Sequence, residues 1–339
     1  MTETVYAALD DRLLVVDVAP DREARASERL VGRDFEAVAA SPDRPDRAFA
    51  GTVESGIQRT TDGGDTWERV ADIGDRVTSL AVAAGDPDLV WAGTEPSAVY
   101  RSTDGGGSWT SLAPLTDLPS ASKWSFPPRP HTHHVRWIEP DPRSPDRLYV
   151  AIEAGALVRT TDGGETWLDR PVDARHDNHT LATHPDAPGR VYAAAGDGYA
   201  QSADGGDTWT HPQDGLGHRY VWGLAVPRSD PDTVVVSAAR GPRSAHTVNT
   251  AEACVYRTTG ADRAGQDGDP PRWSVAMDGL PDPEGTVRSV LAAAGGARLY
   301  ALNNRGLYRS PDAGASWDRL DLDWPESYER QTPRALAVV

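Results

Sequence analysis

The sequence predicts an all-β fold, a single seven-bladed β-propeller, on three observations. A turn motif ending in tryptophan recurs five times. The tryptophans that close successive repeats fall 42, 58, 42, 64 and 44 residues apart, so the base period is 42 to 44 and two intervals carry insertions. No stretch shows a convincing helical period, while short alternating strands are broken by turn residues every eight to twelve positions. A period near 40 is that of one four-stranded blade.

The motif reads Ser or Thr, any residue, Asp, any residue, Gly, two of any kind, then Trp. It runs Thr60 to Trp67, Ser102 to Trp109, Thr160 to Trp167, Ser202 to Trp209 and Ser310 to Trp317. A sixth copy is decayed: it begins at Tyr256 to Gly260, is interrupted by a Gly/Asp/Pro-rich insertion over Ala261 to Arg272, and closes at Trp273. The chemistry is that of a turn. The aspartate carboxylate accepts backbone N–H groups, glycine supplies the positive φ that a Cβ opposes, and the tryptophan starts the next strand and plugs the gap between blades. Asp62, Asp104, Asp162, Asp204 and Asp312 are therefore read as structural, each committed to its own turn, and not as a catalytic or calcium array.

The other strands follow from the motif. In the first full repeat they are Phe35 to Ala40, Arg47 to Gly51, Gly56 to Thr61 and Thr66 to Val70, with the turn-forming run Ser41 to Asp46 between the first two. Six blades span about 33–325. Before them Val5 to Leu9, Leu13 to Val16 and Glu28 to Val31 give three strands without the motif, and after them Arg334 to Val339 gives one. Three plus one makes a seventh blade from 1–32 and 330–339, which closes the ring and leaves no free sheet edge.

Composition narrows the function classes. The net charge is −17, and of 34 basic residues Lys123 is the only lysine. An acidic surface almost without lysine suggests adaptation to high internal salt, favours solubility, and repels phosphate backbones and acidic membranes, so neither nucleic acid nor a membrane is an expected partner. Residues 1–10 run straight into a strand pattern with no apolar leader, and no segment approaches the roughly 18 apolar residues of a membrane span, so a cytoplasmic location is expected. The single cysteine, Cys254, excludes an internal disulfide and reads as a core residue. A closed ring has little need of a second subunit, so a monomer is expected.

The repeats resemble the Asp-box, or bacterial neuraminidase, repeat of sialidases, sortilin-type receptors, xyloglucan-cleaving glycosidases and photosystem II stability and assembly factors. The resemblance covers nearly the whole chain and is specific for fold. Seven blades with no second domain are most similar to the assembly-factor group and to proteins described as glycosyl hydrolase-like. It implies a WD40/YVTN-type propeller whose function lies in a site grafted onto the ring. Two departures bear on catalysis: the Arg-Ile-Pro motif of sialidases is not placed here, and the xyloglucan enzymes usually carry two propellers where this chain has one.

The motif turn joins the third and fourth strands on one face of the disc. Loops leading into the innermost strand, and those joining strands two and three, lie on the other face around the channel. All nine histidines fall between residues 131 and 246, and His131, His133, His134, His176, His179, His218 and His246 map to those loops, with His184 and His211 elsewhere. The densest group, His131, His133, His134, Arg136 and Trp137, follows a 17-residue insertion, Ala113 to Arg129, that holds Lys123 and Trp124. On a strand His131 and His133 would point to one side and His134 to the other. Ring neighbours should add Asp177, Asn178 and His179, then His218, Arg219, Tyr220 and Trp222. The loops between strands two and three should add Glu153, Asp197, Arg240 to His246, and Asn303 to Arg305, Asn304 among them.

Three readings stay open for this group. His131, His133 and His179 could supply three ligands to a transition metal. His, Arg, Tyr and Trp could hold a polar small molecule, a glycan or a protein segment without metal. The same residues could only tie long loops over the channel mouth. For hydrolysis, Glu153 and Asp177 are the candidate acid/base pair, with a separation of about 5 Å for retention and roughly 6.5–9.5 Å for inversion. The insertions Gly241 to Glu252 and Ala261 to Arg272 read as loops. The favoured function is a binding or assembly propeller, and the alternative is a glycoside or metal-assisted hydrolase using the same rim.

Overall fold

Five times along the chain a buried hydroxyl organises a reversal of direction. In the third copy the Thr160 hydroxyl accepts the Gly164 N–H at 3.0 Å and donates to Asp162 Oδ1 at 2.7 Å. Asp162 in turn takes the Thr166 N–H at 3.0 Å and the Thr166 hydroxyl at 2.6 Å. Gly164 sits at φ 90°, and a Cβ there would lie 2.4 Å from Leu112 of the neighbouring blade, so conformation and close approach both demand glycine. The same contacts recur at Ser102/Asp104, Ser202/Asp204 and Ser310/Asp312, and at Thr60/Asp62.

Between these turns the computed structural model, which describes residues 2–20, 23–74, 76–261 and 272–339, folds into seven small antiparallel sheets. The first blade holds Phe35–Ser41, Arg44–Thr52, Ile57–Thr60 and Glu68–Ala71. The innermost strands of the next five are Arg76–Ala83, Val135–Asp141, Asn178–Thr183, Tyr220–Ala225 and Val290–Ala293. In the seventh, Ala335–Val338 lies innermost, followed by Glu3–Ala8, Leu13–Val18 and Ala24–Arg29. These inner strands contact one another around the whole circuit, Ala335–Val338 against Phe35–Ser41 closing it. The protein is a seven-bladed β-propeller.

Apolar packing is concentrated between blades. Seven buried clusters each join two consecutive blades, and six of them include or pack against a motif tryptophan, Trp67, Trp109, Trp167, Trp209, Trp273 or Trp317. Trp324, outside the motif, serves the seam between the sixth and seventh blades. The tryptophan excess is thus a packing requirement. Cys254 is a buried member of one seam.

Several expectations need correction. The third strand of the seventh blade is Ala24–Arg29, earlier than the expected Glu28 to Val31, because Leu30 and Gly32 turn the chain with φ of 49° and 83°. Blades three and four have three strands, their fourth reduced to single bridges, Arg159 with Leu168 and Gln201 with Thr210. The insertion Gly241 to Glu252 contains a short helix, Pro242–His246, and a 3-10 turn, Val248–Thr250. The insertion from 113 to 129 carries two more such turns and buries Trp124. Of the decayed repeat's insertion, residues 262–271 lie outside the described residues.

Candidate binding site at the channel mouth

One irregularity, repeated blade by blade, builds the mouth of the channel. The register of each inner strand against its neighbour slips by one residue between Phe35 and Ala37, Val77 and Ser79, Val135 and Trp137, Asn178 and Thr180, and Val221 and Gly223. Each slip is a bulge that leaves one residue out of the ladder and re-aims its side chain. Those residues are Glu36, Thr78, Arg136, His179 and Trp222. In the remaining blades the matching positions, by sequence, are Arg288 in Val287-Arg288-Ser289 and Arg334 in Pro333-Arg334-Ala335. Six of these seven side chains line a cavity of about 520 Å³, together with Asp10, Arg129, His134, Glu153, Asp177, Tyr220 and His246.

The basic side of the cavity is built on Trp222. The Arg136 and Arg288 guanidinium carbons lie 4.6 and 4.7 Å from the centre of its ring, and His246 meets it edge-on at 4.4 Å. Arg288 is 1% exposed; its Nη1 donates to the Pro333 carbonyl at 2.6 Å, and its Nε has no partner among the described residues. Burial, with the Arg136 and Arg334 cations nearby, pushes its pKa down to about 9, so it remains a cation at neutral pH. Arg136 makes no hydrogen bond to any described residue, and its nearest carboxylate oxygen is Glu153 Oε2, 3.7 Å from its Nε. Arg334, by contrast, is occupied by Asp10 at 2.6 Å, and Arg129 by Glu95 at 2.5 Å.

The acidic side lies beside it. His134 Nε2 is 3.0 Å from Glu153 Oε2, and the Ala154 N–H donates to Asp177 Oδ1 at 2.9 Å. Burial alone would raise the Glu153 carboxyl, but the His134 hydrogen bond and the charges of His179, His134 and Arg136 hold it below its ordinary value. Burial likewise opposes ionisation of Asp177, and His179 and the Ala154 amide outweigh it. Burial drives the His246 pKa down to about 2 with help from Arg288, so the ring is neutral, and its Nε2 lies 3.3 Å from the Tyr220 hydroxyl oxygen in a hydrogen bond.

Of the residues singled out from sequence, the structure brings together His134, Arg136, Glu153, Asp177, His179, Tyr220, Trp222 and His246. The others lie apart. His131 and His133 precede the strand, which starts only at Val135, so the alternation expected of them does not apply. His131 is exposed, and His133 Nδ1 accepts the Ser97 N–H at 3.3 Å while its ring packs on Trp124. They therefore do not join His179 as a metal set; the acid/imidazole group that converges is Glu153, Asp177 and His179. His218 is hydrogen-bonded with the Tyr256 hydroxyl at 2.8 Å, and exposed Arg240 pairs with Glu252 at 3.0 Å. Asn304 is consumed by backbone: it accepts from Val287 and donates to Gly285 and Glu329. Arg288 and Arg334 were not anticipated. Both lie just before the inner strands Val290–Ala293 and Ala335–Val338, and only alignment of those blades on the bulge residues of the other five sets them beside Glu36, Thr78, Arg136, His179 and Trp222.

No protein-family model matches the chain, and no curated protein does. Solved structures do. A GH74 xyloglucanase from Xanthomonas campestris superposes with a TM-score of 0.67 at 17% identity over 94% of this chain and 52% of its own. An ancestral GH74 enzyme gives a TM-score of 0.61 at 16% identity over 84% of this chain and 38% of its own, so this chain spans about half or less of either enzyme. YCF48 bound to D1 peptide gives 0.57 at 19% identity over 86% of this chain and 82% of its own. At such identities the likeness is one of fold, a β-propeller shared by GH74 enzymes and by a protein bound to a peptide.

Proposed function

We propose that this propeller is a binding module that receives a carboxylate-bearing ligand, a peptide or a small polar acid, at the mouth of its channel. The observation that carries the reading is the pair Arg136 and Arg288. Both are buried against Trp222, neither has a hydrogen-bonded carboxylate, and both line the cavity. Arg288 has no carboxylate partner among the described residues and Arg136 has only a long ion pair with Glu153 at 3.7 Å, and buried guanidinium charge so weakly compensated is costly, so the arrangement makes sense as a site held ready for an anion. The guanidinium fork matches a carboxylate, and Tyr220 and Trp222 offer apolar surface to the rest of the ligand. The fold likeness to a propeller bound to a peptide supports a protein segment as one form of that ligand.

A second reading, glycoside hydrolysis, is favoured by one observation: carboxylate oxygens of Glu153 and Asp177 lie within 4.8 Å of each other, near retaining spacing. Against it, both carboxyls are held below their ordinary values, so neither keeps the proton a general acid must donate.

The experiment is a titration with small di- and tricarboxylic acids and with peptides ending in a free or an amidated carboxyl, followed by tryptophan fluorescence. Saturable quenching by carboxylates that is lost in Arg136→Ala and absent with the amidated peptide supports the reading. Release of reducing ends from xyloglucan, abolished in Glu153→Gln, would establish the second reading instead.

A further inference from the structure

The acidic side of the cavity holds a group whose own valences are not closed. His179 is fully buried, and its Nδ1 lies 2.7 Å from the Val221 carbonyl oxygen of the next blade. A carbonyl only accepts, so Nδ1 carries a proton, and Nε2 is the ring nitrogen left to meet the carboxylates. That Nε2 has no hydrogen-bond partner among the described residues, and what it faces is Asp177 Oδ2 at 3.5 Å. Nε2 and carboxylate oxygens of Glu153 and Asp177 all lie within 4.8 Å of one another. Two carboxylates converging on an unpartnered ring nitrogen call for a positive charge among them, and a metal ion bound through Nε2 supplies it.

We infer that Glu153, Asp177 and His179 form a mononuclear site for a divalent transition-metal ion, with its open coordination position facing the cavity. Three further features fit. An imidazole whose second nitrogen is fixed by a backbone carbonyl is how metal-binding histidines are oriented, with the tautomer set in advance. The carboxylates are steered by groups behind them, Asp177 by the Ala154 N–H and Glu153 by His134. Gly196 supplies the space: a Cβ there would stand 2.0 Å from Asp177 Oδ2 and 3.1 Å from the Tyr220 ring. One imidazole nitrogen with two carboxylate oxygens suits zinc or its first-row neighbours better than calcium or magnesium, which favour all-oxygen shells. Three protein ligands and one vacant position is the composition of an open zinc site.

The inference stands apart from the anion reading, since Arg136 and Arg288 are not among the ligands and loss of carboxylate binding would leave it intact. The test uses the full chain purified without a histidine tag, stripped with a chelator and titrated calorimetrically with zinc chloride alone. One equivalent is expected, with circular dichroism unchanged. Asp177→Asn and His179→Gln should each weaken uptake at least about tenfold, the lower bound for residues that merely orient ligands. His131→Ala should bind as the parent does. If His179→Gln does not fold, Asp177→Asn, at a side chain that is 29% exposed, decides the matter. No uptake by the parent overturns the site, as does uptake that survives Asp177→Asn or is lost in His131→Ala.

Discussion

Thr4 and Val339 exchange both of their backbone hydrogen bonds, at 2.8 and 3.0 Å, so residues from opposite ends of the chain complete one sheet. The same strand places Leu336 in the seam between the sixth and seventh blades. Deleting residues 333–339 would strip Glu3–Ala8 of its inner partner and open the ring. The deletion is expected to abolish cooperative thermal unfolding, and Leu336→Ala to cost about 2–4 kcal/mol in a urea titration. A deletion that still melts cooperatively near the parent temperature would show that the ring does not depend on this closure.

The buried hydroxyl of the turn motif should matter more than its exposed partners. Thr160→Val keeps the shape but removes the acceptor of the Gly164 N–H, leaving that amide buried and unpaired. A loss of about 1–3 kcal/mol is expected by denaturant titration, with Thr160→Ser near the parent.

Acid should attack the same turns. At Asp62 and Asp104 the hydroxyl and amide of Thr66 and of Ser108 hold the carboxyls at about 2. A carboxyl depressed in the folded state contributes stability that is present above its unfolded value, about 3.9, and lost as pH falls through the folded one. The neutral His246 ring already costs stability as pH falls below about 6.5, and the turn carboxyls should add a second, steeper fall in the thermal midpoint between about pH 4 and pH 2. Absence of that second fall, or its survival unchanged in a variant with both Asp62→Asn and Asp104→Asn, would contradict this assignment.

The fold was legible because each blade repeats its own instructions. Thr160, Asp162, Gly164 and Trp167 specify a turn, its hydrogen bonds and a seam, and five such sets leave little freedom. The site was legible only where residue types were unusual. His134, His179 and Trp222 drew notice as histidines or as a tryptophan outside the motif, whereas Arg288 and Arg334 looked like two among many arginines. What makes them special is their place just ahead of the inner strands Val290–Ala293 and Ala335–Val338, which matches by sequence the bulge residues of the other five blades and which no side-chain periodicity announces. The same sensitivity misplaced His131 and His133: the strand begins at Val135, and an alternation extended upstream of that point has no meaning.

Arg288 should show a conflict between stability and binding. Its cation is buried with one hydrogen bond to the Pro333 carbonyl and no described carboxylate partner. Arg288→Met keeps much of the volume and removes the uncompensated charge. Stability is expected to rise by about 1–3 kcal/mol while carboxylate-induced fluorescence quenching disappears. A variant that is less stable than the parent would mean that the guanidinium is satisfied in the free protein and is not held in reserve.

Gly196 offers the sharpest probe of the acidic side, because its effect is steric and local. It ends the second strand's run into the loop opposite Asp177, and its Gly196 N–H already donates to the Asp177 carbonyl at 2.8 Å. A methyl group there would meet a carboxylate oxygen at 2.0 Å, far inside contact distance, and the Tyr220 ring blocks its other side. The carboxylate must swing away, giving up the Ala154 N–H and its place beside His179. Gly196→Ala is expected to cost about 1–3 kcal/mol by denaturant titration. It should also weaken zinc uptake as Asp177→Asn does, although it removes no ligand atom. Gly155→Ala, which crowds Ile152 and Trp124 instead, controls for overpacking: it should cost stability and leave zinc uptake unchanged. If both variants lose uptake equally, general loosening of the wall and not displacement of Asp177 is responsible.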